Sequence, residues 1–281
     1  MDITTILGFG LGIAILVVSL LMGNIPLKAL MNPEAILIVF GGTATAVLIS
    51  FSTNTLKDAY SGAKGCFYRD SYTPELCVGY LNEISVYVRQ QGMLALVPLI
   101  HRIEIPFLKT GLRMMVDNRS IRHMREKLST EIEVSYRKEL EYATVFEYAG
   151  GFSPTMGIIG AVIGLIHTVA ASQDAVQMGQ GVAQAFSATL YGVALANLFL
   201  LPLAGKLKQR AREECFKKTL MMEGMISIQA EDHPIVTEEK LKAFIHEEPS
   251  VTSPRQARIN NRSLPAVGST GKQSMPKVVR G

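Results

Sequence analysis

Long uncharged apolar stretches constrain this chain more than any other feature. Of its 281 residues, four stretches contain no Asp, Glu, Lys or Arg: residues 3–22, 35–51, 152–171 and 182–203. A helix rises about 1.5 Å per residue, so each can cross a hydrocarbon core of about 30 Å, the second with help from its flanks. Lipid offers backbone groups no hydrogen-bonding water, which makes helix the required conformation. The pattern predicts an all-α integral membrane protein with four transmembrane helices.

Composition excludes two other classes of protein. The chain is 48% hydrophobic and 19% charged, whereas a soluble domain averages about 25% charged residues. Three cysteines in 281 residues are too few for a disulfide-stapled secreted scaffold. We expect the first stretch to be a retained span, because only Met1 and Asp2 precede it and a signal peptide needs a basic leading region.

The basic residues predict the orientation of the spans. Residues 23–34 and 172–181, which connect the paired stretches, contain a single base, Lys28, out of 28 Lys and Arg in the chain. Basic residues are retained on the cytoplasmic side of a membrane. We therefore expect a multi-pass membrane protein with both termini in the cytoplasm and a large cytoplasmic helical domain between the second and third spans.

The stretches and the changes in composition predict five regions. These are two transmembrane helices, a cytoplasmic helical domain, two further transmembrane helices, a cytoplasmic helical extension and a basic tail: residues 1–52, 53–150, 151–204, 205–248 and 249–281. The tail has six basic residues and no acid, so we expect it to be disordered and weakly attracted to anionic lipid head groups.

Helix signals are clear in the cytoplasmic parts. Thr73, followed by proline and glutamate, is a typical N-cap for a helix reaching about Gln91, and Gly92 interrupts it. Helical patterns follow over 93–103, 106–116 and 119–150, and the last runs directly into the third span. Residues 129–147 carry five acids and two bases, whereas residues 206–218 carry six bases and two acids. Antiparallel extensions of opposite charge would attract each other, although ordinary solvated faces are the alternative.

The spans contain polar side chains but no ionised group of Asp, Glu, Lys or Arg in the middle. Ion carriers place such a group in the membrane. The third and fourth stretches instead carry prolines, Pro154 and Pro202, and a polar series: Ser153, Thr155, Thr168, Ser187, Thr189, Tyr191 and Asn197. Prolines free backbone carbonyls and permit kinks. This pattern suits half of an ion path whose carboxylate belongs to another chain, and hydroxyl groups that merely join helices are the alternative.

Signals of catalysis are missing from the sequence. No nucleophilic triad or cluster of metal ligands appears, so we expect no enzyme activity, no catalytic residue, no metal and no cofactor. Gly8, Gly10 and Gly12 resemble a nucleotide loop only superficially, because no strand precedes them. We expect them to allow close packing of the first helix against a neighbour. A nucleic-acid partner is not expected.

Residues 154–165 (PTMGIIGAVIGL) resemble the third span of the A-type subunit of flagellar motor stators, the MotA/PomA family. Residues 188–192 (ATLYG), followed by Asn197 and Pro202, resemble its fourth span. Gly41-Gly42 and residues 89–96 (RQQGMLAL) fit the same family. The resemblance extends over roughly residues 1–245, but the basic tail is not a general feature of the family.

The resemblance implies a function and partners. In this family, five A-type subunits surround a dimer of B-type subunits (MotB-like), whose single transmembrane helix carries the ion-binding aspartate and whose plug closes the path at rest. Ion flow turns the A-type ring, and the cytoplasmic domain pushes the rotor protein FliG. By matching position, Pro154 and Pro202 would couple ion passage to movement, Thr155 and Thr189 would line the path, and Arg89 would face the rotor.

Two departures from the family pattern affect these expectations. The rotor-facing acid usually follows the "LAL" triplet, but Val97 stands there. Arg89, Arg102 and Glu104 are therefore the candidate rotor contacts. Sodium-driven relatives have threonine where this chain has Ala161. A dehydrated sodium ion needs several oxygen ligands, whereas a proton needs an acceptor and a chain of water, so H⁺ is the expected transported ion and Na⁺ is the alternative.

Other functions are compatible with the sequence. A sodium-driven PomA-type stator and a TolQ/ExbB-like, proton-driven energiser of envelope transport belong to the same superfamily, although the latter generally has three spans. A purely structural membrane scaffold, in which prolines and threonines serve packing alone, is an alternative from another class. The resemblance implies a proton-driven flagellar stator subunit of the bacterial inner membrane, and this is the expected function.

Overall fold

All the regular structure described in this chain is helical. The computed structural model describes residues 3–23, 32–65, 72–171 and 174–246. The helices in those residues are α1 (Ile3–Met22), α2 (Pro33–Ser50), α3 (Thr53–Gly65), α4 (Pro74–Gln91), α5 (Leu96–Ile100), α6 (Pro106–Val116), α7 (Ile121–Ala171), α8 (Ala175–Gln229) and α9 (Pro234–His246). Single π-helical turns lie within α2 and α8, at Leu37–Gly41 and Leu195–Leu200. The predicted all-α class is confirmed, and the predicted basic tail at 249–281 lies outside the described residues.

Three of these helices, α2, α7 and α8, are long and apolar enough to cross a membrane. In α1, Leu7–Met22 forms a shorter apolar helix. The described residues thus fit a multi-pass membrane protein, and the count of four spans stays a prediction. Helix α7 has 51 residues, which corresponds to about 75 Å at 1.5 Å per residue. It therefore extends well beyond a bilayer, and its N-terminal part lies in the region predicted to be cytoplasmic, which we call the cytoplasmic domain.

The predicted start and end of α4 are confirmed. The Thr73 hydroxyl accepts a hydrogen bond from the Leu76 amide at 3.4 Å, and backbone and side-chain hydrogen bonds lower the pKa of Glu75 in the first turn. Gly92 ends the helix with a φ of +82°, a conformation that glycine adopts without steric cost.

The other cytoplasmic predictions are mostly confirmed. The segment predicted as a helix over 93–103 is divided into a 3₁₀ turn (Met93–Ala95) and α5, followed by a turn and an extended stretch. The prediction of a helix over 106–116 is confirmed by α6, and α7 confirms that the next helix continues without interruption into the third apolar stretch.

The connection before α8 is shorter than the sequence indicated. Residues 172–181 are expected to form a loop, but α8 already begins at Ala175, so the expectation is wrong for residues 175–181. The physical reason is a cap: the Asp174 carboxylate accepts a hydrogen bond from the Gln177 amide at 2.8 Å. Good helix formers, alanine, glutamine and methionine, then occupy the first turns.

A continuous hydrophobic core holds the cytoplasmic domain together. It is formed by α4, α5, α6, the first part of α7, the last part of α8, and α9, and its fully buried members include Leu81, Leu96, Leu112, Met115, Met124, Leu128, Leu220, Met221, Met225 and Leu241. Gly111 of α6 lies where an added Cβ would overlap the Met225 side chain. The domain is thus fixed directly to the cytoplasmic ends of two membrane helices.

The predicted attraction between the oppositely charged segments of α7 and α8 is confirmed for one ion pair. Lys208 forms an ion pair with Glu147, and Lys218 donates a hydrogen bond to the Ser135 hydroxyl at 2.5 Å. Farther from the membrane, the Arg125 guanidinium contacts both carboxylate oxygens of Glu223. The ion pairs are partly exposed, and pairs of this kind contribute about 0.2–1 kcal/mol each. They therefore orient the helices more than they stabilise them.

Helix α1 packs sparsely against the rest of the chain. The Phe9 and Phe199 rings are stacked with centroids 5.4 Å apart. A Cβ on Gly12 would lie 3.1 Å from a Leu198 methyl, but nothing described lies within 4 Å of a Cβ on Gly8 or Gly10. The predicted close packing is confirmed for Gly12 and stays a prediction for Gly8 and Gly10.

Candidate ion path and rotor-facing surface

Small residues bring α7 and α8 into close contact within the membrane. On α7 they recur every three or four positions, at Ser153, Gly157, Gly160, Gly164 and Thr168, and they face Gly181, Ala185, Ala188 and Gly192 of α8. A Cβ on Gly157 would lie 2.9 Å from the Ala188 carbonyl oxygen. Helices in lipid associate by such backbone proximity, because burial of apolar surface from water contributes nothing there.

Two hydroxyl groups connect these helices. The Ser153 side chain is fully buried and donates a hydrogen bond to the Gly192 carbonyl oxygen at 2.9 Å. The Thr189 hydroxyl points at the Gly157 carbonyl oxygen from 3.5 Å, which is too long for a strong hydrogen bond. Ser153 thus fixes the contact, whereas Thr189 keeps most of its capacity for another partner.

The predicted path residues differ in their exposure within a single chain. Thr155 is exposed, and its hydroxyl donates a hydrogen bond to the Phe152 carbonyl oxygen of its own helix at 2.7 Å. Thr189 is half-buried in the contact between α7 and α8, and Ala161 is buried at 8% exposure. Ala161 is therefore covered within this chain, and Thr155 lies on a surface that another chain can reach.

The two predicted coupling prolines occupy different environments. Pro154 lies inside α7 and is half-buried, and the helix continues past it. Because proline lacks an N–H, the Gly150 carbonyl loses its usual helical donor. Pro202 is exposed and follows the π-helical turn of α8. It borders a groove of about 470 Å³ together with Phe9, Asn197 and Lys206.

Sequence reasoning missed a buried hydroxyl in α2. The side chain of Thr43 is 6% exposed, and its hydroxyl makes no hydrogen bond to any described residue. Thr45, two positions later, bonds to the Gly41 carbonyl oxygen at 2.8 Å. The sequence alone gives no signal that separates these two threonines. The small-residue contact, in contrast, could have been found from its spacing of three and four residues.

The three predicted rotor contacts lie on the surface of the cytoplasmic domain. Arg89 is in the last turn of α4, Arg102 follows α5, and Glu104 precedes α6. All three are exposed, and none is bonded to another described residue. They lie within 16 positions of the chain and remain available to a partner.

A buried polar cluster anchors the start of α4 to α8. Lys217 is 3% exposed and forms an ion pair with Glu214 at 2.8 Å. The Tyr72 hydroxyl donates a hydrogen bond to the same carboxylate at 3.0 Å, and its ring lies 4.7 Å from the lysine ammonium. Burial beside this cluster raises the pKa of the Cys77 thiol to about 11. The cluster therefore helps to fix the segment that carries Arg89.

The described residues offer no arrangement for resident metal chemistry. Their His, Cys, Asp and Glu side chains form no group of three that could hold an ion. No residue in the middle of a described span carries a titratable carboxylate or a basic group. This arrangement can bind and orient water or a partner's side chain, but it cannot hold a proton on a carboxylate of its own.

Comparison with known proteins identifies the family. Residues 100–219 match the model of the MotA/TolQ/ExbB proton channel family. The chain is 33% identical over 246 residues to motility protein A of Bacillus subtilis, covering 87% of this chain and 91% of that protein.

Solved structures are also similar. The flagellar MotAB stator complex from Bacillus subtilis superposes with a TM-score of 0.82 at 31% identity, covering 93% of this chain and 100% of that chain. The C. jejuni MotAB structure superposes with a TM-score of 0.84 at 27% identity, covering 90% and 100%. The chain therefore belongs to the MotA/TolQ/ExbB proton channel family, and within it to the motility protein A group.

Proposed function

We propose that this chain, a stator subunit of the bacterial flagellar motor, forms a proton channel together with a B-type subunit. Ion flow through that channel turns a ring of A-type subunits and exerts torque on the rotor protein FliG. The chain itself performs no enzymatic reaction. Five copies surround a dimer of the B-type subunit in the inner membrane, with both termini in the cytoplasm. Helix α1 crosses the membrane in addition to α2, α7 and α8.

One observation carries this proposal: the spans have hydroxyl groups but no carboxylate in the middle. A path that moves protons across a membrane needs a group that gains and loses them. The aspartate of a single-span partner supplies that group. The family match to a proton channel and the likeness to MotAB stator structures support the same division of labour.

The proposed coupling depends on the contact between α7 and α8. Thr155 and Thr189 line the path and orient water towards the partner's carboxylate. Protonation of that carboxylate changes its contacts with α7 near Pro154, and Pro202 transmits the change to the cytoplasmic part of α8. The gradient produces rotation only if the two protonation states favour two arrangements of the ring.

Two substitutions test the coupling. Pro154→Leu and Thr189→Val should stop swimming while the subunit still assembles in the membrane, because the first restores a regular helix and the second removes the hydroxyl. Thr144→Val is the matched control, since that hydroxyl bonds to the Leu140 carbonyl of its own helix in the cytoplasmic part of α7. Normal swimming of both test variants would favour a structural scaffold. Unchanged swimming with loss of an envelope transport activity would favour a TolQ/ExbB-like energiser.

The expected ion is H⁺, and Ala161 supports it. The methyl group is buried and offers no oxygen to a dehydrated sodium ion. Swimming speed should survive removal of sodium and collapse when a protonophore is added. The opposite pattern would reject proton drive and favour a sodium-driven PomA-type stator.

Rotor contact is proposed for Arg89, Arg102 and Glu104. Arg89→Glu should reduce torque without loss of membrane insertion, because the side chain is exposed and its replacement leaves no buried group unpaired. Torque should be measured from a bead attached to a single motor, with the membrane level checked by immunoblot. Normal torque after this charge reversal would exclude Arg89 as a contact.

A further inference from the structure

We propose that this chain engages its rotor through an apolar patch formed by Leu94, Val97 and Pro98, and that the partner presents an aliphatic side chain bordered by carboxylates. The inference rests on the proposed stator function and specifies the chemistry of its rotor contact. The patch occupies the position where a purely charge-based contact would place an acid. It makes the contact only partly electrostatic.

Exposure and geometry define the patch. Leu94 is 74% exposed and Val97 is 45% exposed, and Pro98 is exposed as well. Positions 94, 97 and 98 are three and four residues apart, so they lie on one face across the 3₁₀ turn and α5. Isolated exposed aliphatic residues are ordinary in proteins, but adjacent ones on one rigid face mark an interaction surface.

The opposite face of the same segment is anchored in the core. Leu96 is fully buried and Ile100 is 5% exposed, and both pack in the core of the cytoplasmic domain. Pro98 restricts the backbone further. The patch is therefore held in place before any partner arrives, and binding orders no loop. Preorganisation of this kind reduces the entropic cost of association.

Charge around the patch indicates what covers it. Arg89 and Arg102 are exposed and unbonded among the described residues, and Glu104 is the single acid between positions 89 and 104. Residues 89–104 therefore carry a net charge of +1, so a second copy of the chain would bring together two segments of the same sign, which is less favourable than an acidic partner. An acidic protein surface with an apolar centre fits both the bases and the patch.

The experiment uses the complete stator complex in lipid nanodiscs and purified FliG as the probe. Val97→Ser and Leu94→Ser should each weaken binding about tenfold, the effect of removing one aliphatic side chain from an interface. Val134→Ser is the matched control, because Val134 lies on the exposed face of α7 at 61% exposure. The defect should persist at high salt, whereas the contribution of Arg89 should fade.

Ion conduction by the same variants separates this inference from the proposed function. The proposal predicts that serine variants of the patch conduct normally yet bind FliG weakly and produce less torque. If both serine variants bind like the wild type while Arg89→Glu loses binding, the patch is not a contact and the stator function stands. If the wild-type complex neither conducts nor binds FliG, the proposed function fails, and the inference fails with it.

Discussion

Substitution of Gly192 tests the contact between α7 and α8 most severely. A Cβ at this position would lie 2.5 Å from the Ser153 carbonyl oxygen and 3.2 Å from the Cα atoms of Gly157 and Pro154. All three neighbours are backbone atoms, so no side chain can rotate away. Restoring an ordinary separation of about 3.5 Å requires α7 and α8 to move apart by about 1 Å.

Two unfavourable effects and one favourable effect determine how much Gly192→Ala lowers the free energy of unfolding. Overpacking costs about 1–3 kcal/mol. The hydrogen bond from Ser153 to the Gly192 carbonyl, 2.9 Å long, is weakened or lost at about 0.5–1.5 kcal/mol. Alanine returns about 1 kcal/mol through its better helix propensity. The net loss is about 2 kcal/mol, which corresponds to roughly 30-fold in the unfolding equilibrium.

Gly179→Ala is the matched control for this prediction. Gly179 lies in the same helix, but nothing described is within 4 Å of its added Cβ, so the variant should be as stable as the wild type or slightly more stable. Thermal unfolding of the stator complex in detergent, followed by circular dichroism, measures the difference, and swimming reports its consequence. Equal stability of the two variants would refute the close backbone contact.

Three further predictions concern buried groups. Lys217→Ala should destabilise the cytoplasmic domain by about 3 kcal/mol, because it leaves a carboxylate poorly paired in the core. The control Lys242→Ala, whose ion pair is 60% exposed at the lysine, should change stability by less than about 0.5 kcal/mol. Equal effects of the two variants in chemical denaturation would contradict this prediction. Cys77 has a pKa of about 11 against an ordinary 9.0, so it should react with a maleimide at pH 8 roughly a hundredfold more slowly in the folded than in the unfolded chain. The rates should be measured in a variant in which the other two cysteines are replaced by serine. Equal rates would mean that the thiol is accessible. Because this folded-state pKa is raised, the stability linked to the thiol is fully present below about pH 9 and is lost as pH rises through about 11. Thr43→Val should stabilise the chain by about 1 kcal/mol, because it removes a buried hydroxyl that has no partner among the described residues. The control Thr45→Val should not stabilise the chain. A destabilised Thr43→Val variant would show that the Thr43 hydroxyl has a bound partner.

Helix ends could be predicted from the sequence where a local signal marks them. Thr73 and Gly92 set the bounds of α4 because a cap and a positive φ act within one turn. Hydropathy predicts a start of α8 that is too late, because it detects only apolar segments and the first turns after Asp174 are polar. The cap at Asp174 is the local signal that marks the true start.

The sequence predicts which kinds of residue form the candidate site better than it predicts where their side chains lie. The missing carboxylate and the two prolines could be recognised from residue identity alone. The burial of Ala161 and the exposure of Thr155 could not be predicted from residue identity. Both depend on how α7 is rotated about its own axis relative to its neighbours, and only the structure shows this rotation. The apolar face at Leu94 and Val97 likewise emerged only when the structure placed Leu96 and Ile100 in the core.

The central claim is that this chain supplies the walls of a proton path and that another chain supplies the carboxylate. Decay of a pH gradient across proteoliposomes tests it most directly. The chain alone should leave the gradient intact, as should the chain with a B-type subunit whose intramembrane aspartate is replaced by asparagine. The chain with an aspartate-bearing B-type subunit lacking its plug should dissipate the gradient within minutes. Rapid dissipation by the chain alone would contradict the account.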